Sequence, residues 1–375
     1  MSDVPGAWSL RSCTVDLTAI RSNARLLREL TSTDHLIAVV KANAYGHGAV
    51  AVAEAVLDAG AAQLGVTSVQ EALELRRAGI DAPILSWQHD VTTDFSAALA
   101  ARLELGVGTV GQLHRVLDVA RARGETAVVH LKVETGLARN GVMPGDWDEY
   151  FALASRAQSE GALEVRGLWS HLANAGEGTD AAAGERLREA VGHARRRGLR
   201  PELLHLASSA AALTRPGLAF DAVRCGIALY GLQPEDYVDT RSMGFRPAMT
   251  LRARVVATRR VPAGTGVSYG HQGRTSRPTT LALIAAGYAD GVPRAASGSA
   301  SVWIDGSRHP IVGRVAMDQL VVDVGDRDVH EGDVAVLFGD PERGHPSPDD
   351  FADACGTIGY EIVTRLGARV AHAPH

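Results

Sequence analysis

Leu36-Ile37-Ala38-Val39-Val40-Lys41-Ala42-Asn43-Ala44-Tyr45-Gly46-His47-Gly48 is the stretch on which the reading of this chain turns. Its five leading apolar residues, three of them β-branched, form a short continuous run of the kind buried on both faces of a parallel sheet. Lys41 stands where that strand ends, with its stem in the apolar interior and its amine at the mouth of the sheet. Desolvation there lowers an amine's pKa and frees it as a nucleophile, which is what a Schiff-base lysine requires. Taken alone, a lysine in such a loop reads as a surface residue. Tyr45, four positions on, and Gly46 and Gly48 leading into a helix change that reading, because a phenol and free backbone N–H groups can together hold an anion.

Outward from this stretch the pattern repeats. Before it, Leu17, Ile20, Ala24, Leu27 and Leu30 fall three and four apart and predict an amphipathic helix over 16–30. After it come helix 49–59, strand Gln63–Thr67, helix 68–78, strand Pro83–Trp87, helix 94–102, strand Leu103–Gly106, helix 110–123 and strand Ala127–Val133. Helix 147–160, strand Val165–His171, helix 181–197, strand Leu203–Ser208 and strand Ala222–Tyr230 complete the series. Eight strands alternating with helices predict parallel βαβ units and a closed (β/α)8 barrel of the α/β class.

Near Gly231 the texture changes to short β-rich runs: Met249–Thr258, Thr280–Ala285, Ser301–Ile304, Pro310–Val315, Leu320–Val324 and Asp333–Leu337. A single helix is expected near Pro348–Cys355. The expectation is a barrel domain over 1–232 and a mostly antiparallel β domain over 233–375, with the first few residues free to associate with the latter. Two domains also suit a length of 375 residues, more than one core usually serves.

The bulk composition narrows the function. A formal net charge of −5 offers no basic footprint for nucleic acid, so no such partner is expected. Cys13, Cys225 and Cys355 are odd in number and widely spaced, which fits neither a disulfide framework nor a zinc site and points to the reducing cytoplasm. Met1 to Arg11 lacks a basic stretch followed by an apolar core and no run of roughly 18 apolar residues occurs, so neither secretion by a signal peptide nor membrane spanning is expected.

Chemistry in such a barrel sits where the strands end. Lys132 lies inside strand five, where an ammonium must be paired with an acid or chemically modified. Arg139 follows in a glycine-flanked loop suited to a carboxylate or phenolate oxygen. Strand six ends at His171, and strand seven opens into Ser208-Ser209-Ala210, which presents hydroxyls and amides to phosphate. Strand eight carries Arg224, a charge needing a buried partner, followed by the amides of Gly226 and Ile227.

Together, in this order, these segments resemble the alanine racemases, fold-type III enzymes dependent on pyridoxal 5′-phosphate, and the resemblance covers nearly the whole chain. It implies that Lys41 carries the cofactor and that Tyr45, Ser209, Gly226, Ile227 and Tyr360 surround its phosphate, the last in Thr357-Ile358-Gly359-Tyr360-Glu361. Arg224 would face the pyridine nitrogen with His171 behind it, and Arg139 would contact the cofactor phenolate and the substrate carboxylate. Lys132 matches the family's carbamylated lysine. Gly266-Val267-Ser268-Tyr269-Gly270 resembles the segment bearing the second catalytic base, Tyr269. Ala286-Gly287-Tyr288-Ala289-Asp290-Gly291 and Gly313-Arg314-Val315-Ala316-Met317-Asp318-Gln319 place Tyr288 at the pocket entrance and the Met317 amide against the substrate carboxylate.

The resemblance further implies a bacterial enzyme supplying D-alanine for peptidoglycan, working as a homodimer whose active sites are shared between chains. Lys41 would serve the D-side of the α-carbon and Tyr269 the L-side. Three positions depart from the family's usual pattern: Glu134 for aspartate, Ala316 for cysteine and Gly176 for an acidic residue. The competing readings are a serine or broad-specificity racemase of the same fold, and a non-catalytic PLP-binding protein, which would lack the second domain.

Overall fold

A computed structural model describes residues 10–31 and 33–373. Its first half is a closed barrel of eight parallel strands: His35–Val39, Gln63–Val66, Ile84–Ser86, Glu104–Val107, Ala127–Lys132, Leu163–Trp169, Leu203–Ser208 and Ala222–Cys225. The ring closes where the first strand pairs with the eighth, Leu36 opposite Val223. Helices pack outside, and several are opened by a polar side chain that precedes them. Asp16 accepts from the Thr18 and Ala19 amides to open Leu17–Leu30. Ser68 and Glu71 form a reciprocal capping box at Val69–Arg77.

The second half is organised on one 13-residue strand, Met249–Val261, which pairs antiparallel with Thr279–Ile284 and Val334–Phe338. The chain's first described strand, Arg11–Val15, also joins this sheet, antiparallel to Met249–Val261 and parallel to Ala371–Ala373. Residues 1–9 lie outside the described residues, so what the sequence implied for them is not addressed by these contacts.

Several sequence boundaries shift. Strand six stops at Trp169, two residues before His171, and strand eight stops at Cys225, after which Ile227–Tyr230 forms a 3-10 turn. For strand eight the reason is that a fully buried apolar run such as Ile227–Tyr230 looks alike whether extended or coiled. The strand expected over Pro310–Val315 is instead Ser307–Pro310, hairpinned with Ser301–Ile304. A second helix, Gly359–Thr364, follows Pro348–Cys355 and carries Tyr360.

The segment after the first barrel strand holds the largest departure from ordinary geometry. Ala42, Asn43, Ala44 and Tyr45 all have φ near +53°, a left-handed turn. For non-glycine residues that costs about 1–2 kcal/mol each. The compensation is charged: Glu71 accepts from the Ala42 amide at 2.7 Å and from the Thr67 and Ser68 amides at 2.8 and 3.0 Å. Only the Ala42 bond reaches the turn itself; the other two hold the Glu71 carboxylate in place at the start of Val69–Arg77. The Asn43 side chain also accepts from the Ala49 amide, tying the turn to the next helix. This turn sets Lys41 and Tyr45 on the same cavity.

Candidate active site

A cavity of about 590 Å³ opens among the loops that follow the barrel strands. Its wall includes Lys41 and Tyr45 from the left-handed turn, Lys132 and Arg139 from strand five and its loop, and His171 after strand six. Ser209, Arg224, Gly226 and Ile227 come from the last two strands, and Tyr360 reaches in from the C-terminal half. Four of these residues are Lys or Arg, and among the described residues that line the cavity none is Asp or Glu.

Burial depresses the Lys41 ammonium below the ordinary lysine value, and Arg139 lowers it further, against an opposing pull from Glu71. Lys132 is held down to about 8, first by burial and then by Arg224 and Arg139, with Glu134 opposing. Its amine lies 4.7 Å from the Trp169 ring centre, and among the described residues no carboxylate forms an ion pair with it. Glu134 is occupied otherwise, accepting from the Gly136 and Ala138 amides and so folding the loop that presents Arg139.

Arg224 is buried, and among the described residues no carboxylate pairs with it. It donates to His205 Nδ1 at 2.9 Å, the Ser170 carbonyl at 2.8 Å, His171 Nδ1 at 3.0 Å and the Leu206 carbonyl at 3.1 Å. Burial presses its guanidinium down to about 9, still protonated at neutral pH. His171 is pushed well below the usual imidazole range by burial and then by Arg224, so it is neutral and can accept.

Opposite this wall lies a small anion cradle. The Gly226 amide donates to Ser209 Oγ at 3.1 Å, and Ile227 begins the 3-10 turn beside it. A Cβ at position 226 would collide with the Tyr45 hydroxyl, so glycine is required for this approach. Tyr360 stands beside Tyr45, ring centres 6.0 Å apart. Burial raises both phenols well above their ordinary pKa, keeping them protonated donors.

Three sequence-predicted residues are not brought to this cavity. Tyr269, Tyr288 and Met317 are 69%, 42% and 52% exposed on the β-rich half. Tyr269 shares a shallow surface hollow with His271 and Arg314 instead. Tyr288 and Met317 are adjacent, the Tyr288 and Ala289 amides donating to the Ala316 and Met317 carbonyls. Buried Asp290 fixes that pair by accepting from Arg11, Arg369 and the Gly287 amide.

Sequence reasoning also passed over Trp87, which lines the cavity, and over Glu104, His130 and His205, which lie beneath it. The signal was present: each of these three is an ionisable residue flanked on both sides by apolar ones.

Comparison with known proteins gives one answer. Residues 15–234 match the family "Alanine racemase, N-terminal domain" and residues 248–373 match "Alanine racemase, C-terminal domain". The alanine racemase of Salinispora arenicola is 50% identical over 94% of this chain and 95% of its own length. That of Mycolicibacterium smegmatis is 48% identical over 98% and 95%. Among solved structures, alanine racemase from D-cycloserine-producing Streptomyces lavendulae superposes with a TM-score of 0.96 at 44% identity, covering 99% of this chain and 98% of that one. Alanine racemase from Streptomyces coelicolor gives 0.94 at 46%, covering 97% of each. With the barrel, the second sheet and the cationic cavity all in place, this chain belongs to the alanine racemase family.

Proposed function

We propose that this protein interconverts L- and D-alanine by two-base transfer of the α-proton, using pyridoxal 5′-phosphate bound in the barrel cavity of a homodimer. The observation that carries this reading is the cavity itself, where a desolvated lysine, a glycine-dependent anion cradle and four cationic side chains meet, with no Asp or Glu among the described residues that line it. That donor set fits a phosphorylated cofactor and a carboxylate substrate. We place the division between the two domains at 232/233, a reading supported by the separate matches ending at 234 and beginning at 248.

Bound pyridoxal 5′-phosphate supplies an electron sink for the charge left on the α-carbon when its proton departs. Tyr45, Tyr360, Ser209 and the Gly226 and Ile227 amides would hold the phosphate. Arg224 would face the ring nitrogen as a donor that cannot take up a proton, with His171 behind it. Arg139 and the Met317 amide would fix the substrate carboxylate, while Tyr288 narrows the entrance. The remaining task is stereochemical: one base takes the proton from one face of a planar carbon, and another returns it to the opposite face. Lys41, whose amine gives up its proton more readily than an ordinary lysine's, serves the D-side, and the Tyr269 hydroxyl serves the L-side.

The decisive assay follows chiral products from L-alanine, L-serine, L-lysine and L-arginine. Fastest turnover is expected with alanine. A faster reaction with serine or the basic amino acids would replace the reading by a racemase of different specificity, and no turnover on any of them by PLP-loaded protein would leave a binding protein.

Lys132 is proposed to be carbamylated. Its amine becomes neutral at a lower pH than an ordinary lysine's and forms no ion pair with a carboxylate among the described residues, so attack of its nitrogen on CO2, with loss of a proton, yields an anion that can fix Arg139. With 13C-labelled bicarbonate, a carbamate signal is expected from the wild type and not from Lys132→Ala. That variant should regain part of its lost activity when a small carboxylate is supplied. An unmodified amine in fully active enzyme would refute the assignment.

A further inference from the structure

Below the cavity a line of polar side chains crosses the barrel interior. Arg224 Nη1 meets His205 Nδ1 at 2.9 Å, His205 Nε2 meets His130 Nδ1 at 2.8 Å, and His130 Nε2 meets Glu104 Oε2 at 2.7 Å. These residues come from strands eight, seven, five and four, and all are at least nine-tenths buried. Strand six is crossed at Gly167, where any Cβ would run into the His130 ring. Trp169 stacks on His205 with the rings 5.4 Å apart and 13° from parallel, fixing the plane of that imidazole.

The chemistry of the two ends gives the line a direction. Arginine can only donate, so His205 Nδ1 accepts and, the ring being neutral, its proton is on Nε2. That proton is donated to His130 Nδ1, which leaves His130 protonated on Nε2 and donating to Glu104. A carboxylate can only accept, so both ends demand the same polarity. Glu104 is itself anchored by Gln63 Nε2 at 2.7 Å and Arg166 Nη1 at 3.0 Å. All four acceptors around the Arg224 guanidinium are neutral, and Glu104 is the carboxylate its hydrogen-bond line reaches.

We propose that Glu104 is a positioning residue for Arg224: as the acceptor end of a one-directional line through His130 and His205, it locks both imidazoles as Nε2–H tautomers and holds the guanidinium toward the cavity. If Glu104 were absent, His130 would keep a buried donor unmatched, or reverse and drive an N–H of His205 against Arg224. Either outcome loosens the guanidinium. The consequence for catalysis rests on the reading that Arg224 faces the cofactor ring, whereas the tautomer pattern does not.

The test uses 15N-histidine-labelled full-length protein, with and without PLP. In the wild type His130 and His205 should each show protonated Nε2 and bare Nδ1, unchanged over about pH 5.5–8.5. Glu104→Leu should break that pattern, shift the visible absorbance of lysine-bound PLP and lower kcat roughly tenfold or more with a smaller change in KM. Glu104→Gln, which keeps an acceptor oxygen for His130, should restore the tautomer pattern and recover part of kcat. A Glu104→Leu protein that retains wild-type histidine signals and absorbance overturns the proposal, even if it melts lower. Should that variant not fold, a protonated Nδ1 on His205 in the wild type overturns it equally. A wild type with the expected tautomers but no racemase activity would instead fail the functional reading alone.

Discussion

Replacing Lys41 by Ala is expected to abolish the visible absorbance of lysine-bound cofactor and to lower racemisation by a factor of about 10³ or more, since a covalent anchor and a positioned base are lost together. The structure also gives the sign of a pH effect. Capture of PLP by the apoprotein requires the neutral amine, so its rate should rise with pH through the Lys41 pKa. Burial and then Arg139 lower that pKa, which moves the midpoint below the ordinary lysine value of about 10.4. Arg139→Ala removes one of the two depressing influences, so the midpoint should move up toward that value while Lys41 remains able to react. Stopped-flow absorbance across a pH series reads both effects. A visible band that persists unchanged in Lys41→Ala, or a midpoint that falls in Arg139→Ala, would remove Lys41 from its role.

Much of this site was legible because its residues interrupt simple patterns. The barrel strands announce themselves as short apolar runs, and Lys41, Lys132 and Arg224 stand out as charges at the ends or within them. What the sequence left unread is relational. Glu104, His130 and His205 are each visible as an ionisable residue between apolar neighbours, yet only the closure of the barrel brings strands four, five, seven and eight around one interior line. Arg11–Val15 goes unread as a strand for the same reason, although association of the first residues with the β-rich half was expected: its partners lie more than 230 residues away in the chain and its own five residues carry no strong strand pattern. The left-handed turn over 42–45 escaped for a different one: Ala42 and Ala44 have no intrinsic preference for positive φ, and the turn is held by Glu71, a residue whose local signature is that of a helix cap.

The second large effect concerns which chain supplies the second base. Tyr269 is 69% exposed and does not line the cavity that holds Lys41, and Met317 and Tyr288 are likewise open on the β-rich half. A phenol that must come within hydrogen-bond reach of the substrate α-carbon cannot act from that position within its own chain. Two solutions exist, a second copy that covers each barrel mouth with its β-rich half, or a hinge that folds a chain's own half over. An isologous pair would close on itself and make two equivalent sites, whereas a hinge would have to break the linkage of Arg11–Val15 to Met249–Val261 or carry it along. Mixing separates them. Lys41→Ala and Tyr269→Ala chains are each expected to be nearly inactive, and co-refolded heterodimers should regain activity approaching half that of the wild-type pair, because one of their two sites then contains both native residues. Confirmed heterodimers with no recovery would show that each site is built from a single chain.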